Sequence, residues 1–556
     1  MRDVVVKLIS KETKLSVKDV LNFLEIPPKD ELGDFAFPCF SLAKEKKKNP
    51  LVIAEELAEK FMENLPKEIS NVSFKGGYVN FFIDRKILAN IVLEKVKKKD
   101  FGTNKIGKGK KIVIEFSQPN THKAFHVGHI RGTSIGESLS RVFEFEGSKV
   151  IRANYSGDTG MHIAKWIWGY RKYHSKEKLS SDESWIAGIY VDAVKRLGEN
   201  ENFQKEVDET NRKMESKEDK EINELWMKTR KDSIKSWDKI YLELNTKFDV
   251  YYFESEVESE AKRISEELVK KKIAKMDDAI FMDLKNYNLG IWVLLRRDGT
   301  VLYSAKDIAL AFKKVKDYKA DRYLVAVADE QKMYFNQLKK TLELMKFPKE
   351  KVYDSLIYGM VRFPEGKMSS RTGDNILYSS LVNELSSIAK KGIQERSYGG
   401  KEVDKRALKI ALSAIKYSML KQDSNKNIIF NPNEALAFEG DTGPYLLYSY
   451  ARASSISRKV KSKKAVKIID LKDSEVKLLK KINSFEVVVG DSYRRLAPNL
   501  IANYCFELSQ IFNEFYHSCP VRGSVEEGFR LKLVEAFRIT LKKGLDLLGI
   551  DVLEEM

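Results

Sequence analysis

Between residues 51 and 61 apolar side chains fall at helical spacing, and 78–83 reads as a strand, so the first 100 residues form a small α+β module. A lysine-rich stretch, 95–111, broken by Gly102, Gly107 and Gly109, follows as a linker. Then comes the β-branched run Ile112, Val113, Ile114, a polar loop, a helical pattern over 135–145, Gly147, and a second strand over 150–155. That order is a βαβ unit, which predicts a parallel sheet with its ligand loops at the strand carboxyl ends. Polar residues over 175–184 interrupt the pattern. A long charged helix follows, with Ile222, Leu225, Trp226, Trp237, Ile240, Tyr241 and Leu244 near helical spacing, and it reads as an insertion around 175–245. Arg297, Asp298 and Gly299 between two apolar runs signal a hairpin. From Lys405 onward no strand pattern remains: Leu500, Ile501, Tyr504, Leu508, Ile511, Phe512 and Phe515 share one helical face, and Leu531, Val534, Leu541, Leu545 and Leu548 another. The last third is predicted to be a helical bundle, and the chain has no internal repeats.

Length and charge narrow the class. A chain of 556 residues exceeds what one core serves, so two to four domains are expected. Lys plus Arg number 99 against 81 Asp plus Glu, and the balance of +18 calls for a polyanionic partner or an anionic surface. No apolar run approaches the roughly 18 to 20 residues of a membrane span, and the first ten residues lack a signal-peptide core, so a soluble, cytoplasmic protein is expected. Cys39, Cys505 and Cys519 form no Cys-X-X-Cys pair and suit a reducing compartment as packing residues.

The candidate chemistry sits in two loops. The first strand runs into a loop carrying Asn120, Lys123, His126, Gly128 and His129, with a helix just beyond. Backbone amides at a helix start favour phosphate, and two imidazoles add donors where charge develops. Gly128 permits close approach of a nucleotide. Taken alone, His126 and His129 are a surface pair or half a metal site, but no cysteine or acidic cluster nearby completes a zinc sphere, and no bound metal is expected. Roughly 240 residues later, after a strand-like segment over 352–361, come Gly366, Lys367, Met368, Ser369, Ser370, Arg371, Thr372 and Gly373. Lysine, two hydroxyls and flanking glycines make a cationic loop suited to a leaving pyrophosphate, where a lone copy would pass for a solvated loop.

The His-X-Gly-His loop followed by Lys-Met-Ser-Ser resembles the two signatures of class I aminoacyl-tRNA synthetases. The likeness to the arginyl family runs through nearly the whole chain. It is carried by Glu115 to Asn120 with Lys123; by Asn154, Tyr155, Ser156, Gly157 and Asp158; and by Asp298, Gly299 and Thr300 through Tyr303 to Asp307, Ile308 and Ala309. Phe438 to Tyr445 with Tyr448, Ala451 and Arg452 matches the start of that family's anticodon-binding bundle, while Gly33, Asp34 and Gly76 to Phe81 are similar to its extra amino-terminal domain.

The resemblance implies a multidomain α/β protein: an α+β domain over 1–100 touching the tRNA elbow, a Rossmann-type catalytic domain over 108–400 with the helical insertion, and an all-α anticodon-binding domain over 405–556. It implies an arginine-tRNA ligase acting on ATP with Mg²⁺, L-arginine and tRNA(Arg), monomeric and away from membranes. By the same likeness His126, His129, Lys123 and Lys367 are catalytic, and Gly128, Gly359, Val361, Met368, Ser369 and Ser370 join the ATP site. Glu254, Tyr303 and Asp307 meet the substrate guanidinium, while Gln118, Asn120, His129 and Gln331 hold its amino-acid end. Asn80, Tyr445, Tyr448 and Arg452 touch tRNA. A guanidinium is planar with five donors and needs fixed anionic acceptors, which suits paired carboxylates. Singly, each such carboxylate reads as a helix cap or a solvated face, and Asp307 opens a helical pattern. The carboxyl-terminal tyrosines, Tyr450 included, suit stacking on splayed bases or packing between helices.

Two positions depart from the family: Gln118 stands where it usually has serine, and Lys306 where it usually has arginine. Many relatives also lack the lysine of the second signature, whereas this chain has both Lys367 and Lys123. The rival readings are a class I synthetase for another amino acid, a small nucleotidyltransferase of the same fold, or an inactive RNA-binding paralogue. The 150-residue helical appendage opposes the second, and intact His126, His129 and Lys367 oppose the third.

Overall fold

The computed structural model describes residues 1–348, 351–364, 376–395, 402–460, 466 and 468–556. The second signature, including Lys367, Met368, Ser369 and Ser370, lies outside the described residues. The chain divides into two compact units: residues 1–102, 456–485 and 510–540, and residues 103–455, 486–509 and 541–556.

In the first unit an antiparallel sheet of order β1-β3-β2 (β1 Phe35–Pro38, β2 Ile69–Lys75, β3 Tyr78–Ile83) is covered by helix α1 (Pro50–Glu63). Asn49 caps α1 and Pro50 opens it, and Ile53, Leu57 and Phe61 are buried at four-residue intervals toward the sheet. Gly33 explains its own place in the sequence: at φ +93° its missing Cβ would meet the Phe81 carbonyl at 2.8 Å. Its neighbour Asp34 accepts a 2.7 Å bond from the Ile83 amide and pairs with Lys480 at 2.7 Å. Phe512 and Phe537, from the two carboxyl-terminal helices, stack at 3.7 Å in this same unit.

The second unit is built on a five-stranded sheet in the order 352–358, 322–328, 111–115, 149–156, 250–253. The strands are β4 (Lys111–Glu115), β5 (Lys149–Ser156), β6 (Val250–Phe253), β10 (Arg322–Ala328) and β11 (Val352–Tyr358), with β7 (Lys275–Met276), β8 (Ile280–Asp283) and β9 (Ile291–Leu295) forming a separate antiparallel sheet. Every pair in the five-stranded sheet is parallel. The chain moves outward from β4 to β5 and β6, then returns to the other side of β4 for β10 and β11. The direction reverses between β4 and β10, and in such sheets the crevice at their carboxyl ends is the ligand site. Helix α2 (Val127–Phe145) follows β4, starting eight residues ahead of the periodicity that predicted it at 135.

Between β5 and β6 lies the helical insertion. Its core takes in Ile163, Trp166, Ile167 and Trp168, ahead of the polar stretch at 175, together with Ile189, Val207, Ile222 and Trp226. Helix α3 (Lys220–Glu243) closes it, capped by Asp219, with Ile222, Trp226, Trp237, Ile240 and Tyr241 on the buried face. The turn at 297–299 forms, with the Arg296 amide bonded to the Thr300 carbonyl at 3.0 Å. Only a single bridge, Leu295 to Val301, makes a hairpin of it, because the second run continues as helix α4 (Tyr303–Tyr318). A further exception is small: β13 (Ile428–Ile429) pairs in parallel with β12 (Val361–Arg362), so the segment beyond Lys405 is not wholly strandless.

Candidate active site at the reversal of the sheet

Three non-glycine residues in the loop after β4 have left-handed backbones, Ser117 (φ 75°), Gln118 (φ 52°) and His122 (φ 61°). Such residues persist only where the surroundings over-determine them. Ser117 Oγ meets Tyr241 Oη of α3 at 2.7 Å and accepts from Thr133 of α2 at 2.9 Å. The His122 amide donates to Ser233 Oγ at 3.1 Å, and its ring meets Thr229 Oγ1 at 2.7 Å. The insertion helix thus holds the loop in shape.

At the start of α2 the two histidines lock each other. The Gly128 amide donates to His126 Nδ1 at 3.2 Å, and the His126 amide donates to His129 Nδ1 at 3.1 Å. Each Nδ1 is therefore an acceptor, so the ring proton sits on Nε2, which remains as a donor. Burial, with Lys123 adding to it, lowers the pKa of His126; burial, His126 and Lys123 hold His129 well below the usual range. The pair is neutral at working pH, with ring centroids 3.9 Å apart. A Cβ on Gly128 would stand 3.1 Å from the His126 ring, so any larger residue must push that ring by a few tenths of an ångström. Half-buried Lys123 lies 5.6 Å from the Tyr190 ring, its pKa lowered by burial and by Lys165.

The described residues flanking the second signature are anchored to this same helix start. The Val127 amide donates to the Ile376 carbonyl at 3.2 Å, and the Tyr378 amide to the Phe125 carbonyl at 2.9 Å. On the other side, buried Arg131 of α2 donates to the carbonyls of Gly359, Met360, Ser424 and Lys426 at 2.6, 3.2, 3.1 and 2.7 Å. Gly359 is pinched there: a Cβ would sit 2.5 Å from the Lys426 carbonyl oxygen. Val361 lies next to it on β12. Nothing local in the sequence marks Arg131 for this role, since its acceptors are more than 200 residues away.

Beyond the loop the charge reverses. Asn120 Oδ1 and Glu254 Oε1 converge on the space where a Gly157 Cβ would project. Glu254 Oε2 accepts from Lys306 Nζ at 3.1 Å and from Thr159 Oγ1 at 3.3 Å. Lys306 is the departure from the family, and its ammonium rests on a carboxylate expected to meet the substrate. Asp307 is the fifth residue of α4, whose N-cap is Leu302 without a side-chain bond, so the helix-cap reading of Asp307 is set aside. Its carboxylate accepts from Tyr334 Oη. Burial pushes the Asp307 carboxyl up to about 7; the Tyr334 bond and Lys314 oppose the rise, and Glu115 and Glu254 add to it. Tyr303 is exposed and lies 5.1 Å from the Tyr334 ring. Gln118 turns toward Glu115, donating to it at 2.7 Å, and Glu115 in turn pairs with buried Lys314. Gln331 ends the short 3₁₀ turn after β10 and is exposed. Tyr334 was not singled out in the sequence, and only the fold places it over Asp307.

The residues expected at tRNA separate. On helix α5 (Gly443–Lys459), Tyr445, Tyr448 and Arg452 are half-buried, with Arg452 donating to the Tyr448 hydroxyl at 2.9 Å. Tyr450 is buried and donates to Glu554 at 3.0 Å, which is the packing alternative. Asn80 is enclosed in the middle strand of its sheet, 4 % exposed, leaving little of its side chain for an RNA to meet.

Comparison with known proteins agrees with this geometry. The family model described as "tRNA synthetases class I (R), catalytic domain" matches residues 88–432, the arginyl tRNA synthetase N-terminal domain matches 2–83, and the DALR anticodon binding domain matches 446–556. The chain is 35% identical over 564 residues to an arginine–tRNA ligase of Clostridium acetobutylicum, covering 100% of both. It is also 35% identical over 567 residues to that of Clostridium perfringens, again covering 100% of both. Among solved structures, Thermus thermophilus arginyl-tRNA synthetase superposes with a TM-score of 0.82 at 26% identity, over 100% of this chain and 99% of that one. A full-length relative above 30% identity, and a class I catalytic model spanning more than half the chain, place this protein in the arginyl-tRNA synthetase family.

Proposed function

We infer that this protein is an arginine–tRNA ligase of protein biosynthesis: it activates L-arginine with Mg-ATP and esterifies it to the terminal adenosine of tRNA(Arg). The observation that carries the reading is that the loop after β4, which holds the neutral histidine pair, brings its Asn120 against Glu254, the carboxylate that acts on Asp307. In the first step an arginine carboxylate oxygen attacks the α-phosphorus, the bond to the β-phosphate oxygen breaks, and pyrophosphate leaves. The Nε2–H groups of His126 and His129 donate to oxygens whose charge grows, and Lys123 and Lys367 neutralise the departing phosphates. Gly359 and Val361 supply backbone beside the nucleotide, and Met368, Ser369 and Ser370 complete its phosphate end. Mg²⁺ enters with the nucleotide. Glu254, Tyr303 and Asp307 grip the guanidinium, while Asn120, Gln118, His129 and Gln331 align the amino-acid end. In the second step the 2′-hydroxyl of the terminal ribose attacks the adenylate carbonyl and AMP departs. Catalysis is positioning and electrostatics, without a covalent enzyme intermediate.

Tyr445, Tyr448 and Arg452 present an aromatic and cationic face for anticodon bases, and Asn80 belongs to the domain that meets the tRNA elbow. The domain limits follow: 1–100, 108–400 and 405–556. No helix of the described residues is long and apolar enough to cross a membrane; the location proposed for the enzyme is the cytoplasm, where protein synthesis takes place. The test is aminoacylation of total tRNA with each of the twenty amino acids: arginine alone should be charged. Preferred charging of another amino acid, or none with any, overturns the reading.

A further inference from the structure

The acidic pocket contains one polar atom that the fold leaves unused. The Tyr155 hydroxyl is buried and has no hydrogen-bond partner, while the body of its ring packs against the core of the sheet. Buried hydroxyls without partners are rare, and phenylalanine would serve the packing alone. Tyr155 lies on β5, two residues before Gly157, over which Asn120 and Glu254 converge. After burial, the groups acting most strongly on the hydroxyl are the carboxylates of Asp307 and Glu254, which keep it protonated far above its ordinary range. It also acts on Tyr334, the phenol that donates to Asp307.

We propose that Tyr155 is a further arginine-binding residue, its oxygen accepting an N–H of the substrate guanidinium. A guanidinium carries five donors and no acceptor, so an all-carboxylate pocket would crowd negative charge to meet them. A neutral phenol supplies an acceptor without that repulsion. The proposal rests on the ligase reading above.

The test is Tyr155→Phe in the full chain, with calorimetric titration of L-arginine, titration of ATP, and a thermal melt without ligand. Arginine affinity should fall about 10- to 100-fold, as for a lost hydrogen bond to a charged group. ATP affinity should hold, and the ligand-free melting temperature should stay level or rise, because the variant removes an unpaired buried oxygen. Unchanged arginine affinity overturns the proposal. So does a lowered melting temperature accompanied by weaker ATP binding, which would make the hydroxyl structural. Wild-type protein that fails to bind L-arginine would instead sink the ligase reading, and the proposal with it.

Discussion

In the function proposed above, the two ends of the crevice recognise their substrates by opposite means. At the phosphate end, the backbone does the orienting: Gly128 and His126 amides fix two imidazoles, and burial strips both of positive charge. Neutral donors there can follow charge as it develops without clamping the ground state. At the guanidinium end the fold gathers like charges, Glu254, Asp307 and Glu115, and holds one of them near neutrality until a cation arrives. Lys306 on Glu254 and Lys314 on Glu115 offset part of that repulsion. The first end is finished before substrate binds; the second is completed by it.

The separation can be broken by substitution. Changing Asp307 to asparagine keeps the shape and removes the charge, and breaking such a pair costs about 3 to 5 kcal/mol, or roughly two to four orders of magnitude in arginine use. ATP affinity should hold; if it falls as much as arginine affinity does, the two ends are not separate. His126→Ala should slow activation by about 10² to 10³ while arginine still binds, and His129→Ala should slow it as much and weaken arginine as well, since each removes a donor aimed at developing charge and His129 also holds the amino-acid end. Near-normal rates in both variants at saturating substrate would remove the histidines from the mechanism. Gly157→Ala sharpens the boundary: the new methyl displaces Asn120 and Glu254 and should weaken arginine by about tenfold, as overpacking does, with ATP unaffected.

The contrast also explains what the sequence made legible. The shape of the loop after β4 has a local origin: His126, Gly128 and His129 lie within one turn, and helix caps and close approaches have short-range signatures. The doubly wound sheet followed from strands and helices alternating around it. The roles proposed for Glu254, Tyr303 and Asp307 rest on family likeness. Asp307 by itself looked like a cap, and what distinguishes it, the phenol of Tyr334 and the neighbouring Glu254, comes from separate elements brought together by the sheet. Arg131 was hidden for the same reason, its four carbonyl acceptors lying far along the chain. Tyr450 shows the limit of composition: spaced like its half-buried neighbours Tyr445 and Tyr448, it is buried and donates to Glu554.

The most direct test of a pocket completed by its substrate is the affinity for L-arginine as a function of pH. The carboxyl of Asp307 is raised from 3.8 to about 7. In the ligand-free protein that raised value weakens the fold as pH climbs between those limits, and has no further effect above them. The substrate cation requires the ionised form, so below about pH 7 a proton must leave before the guanidinium can be gripped. Arginine affinity should be level above that pH and fall about tenfold per unit below it, and Asp307→Asn should bind weakly with no such slope. Wild-type affinity that stays constant down to pH 6 would contradict the account.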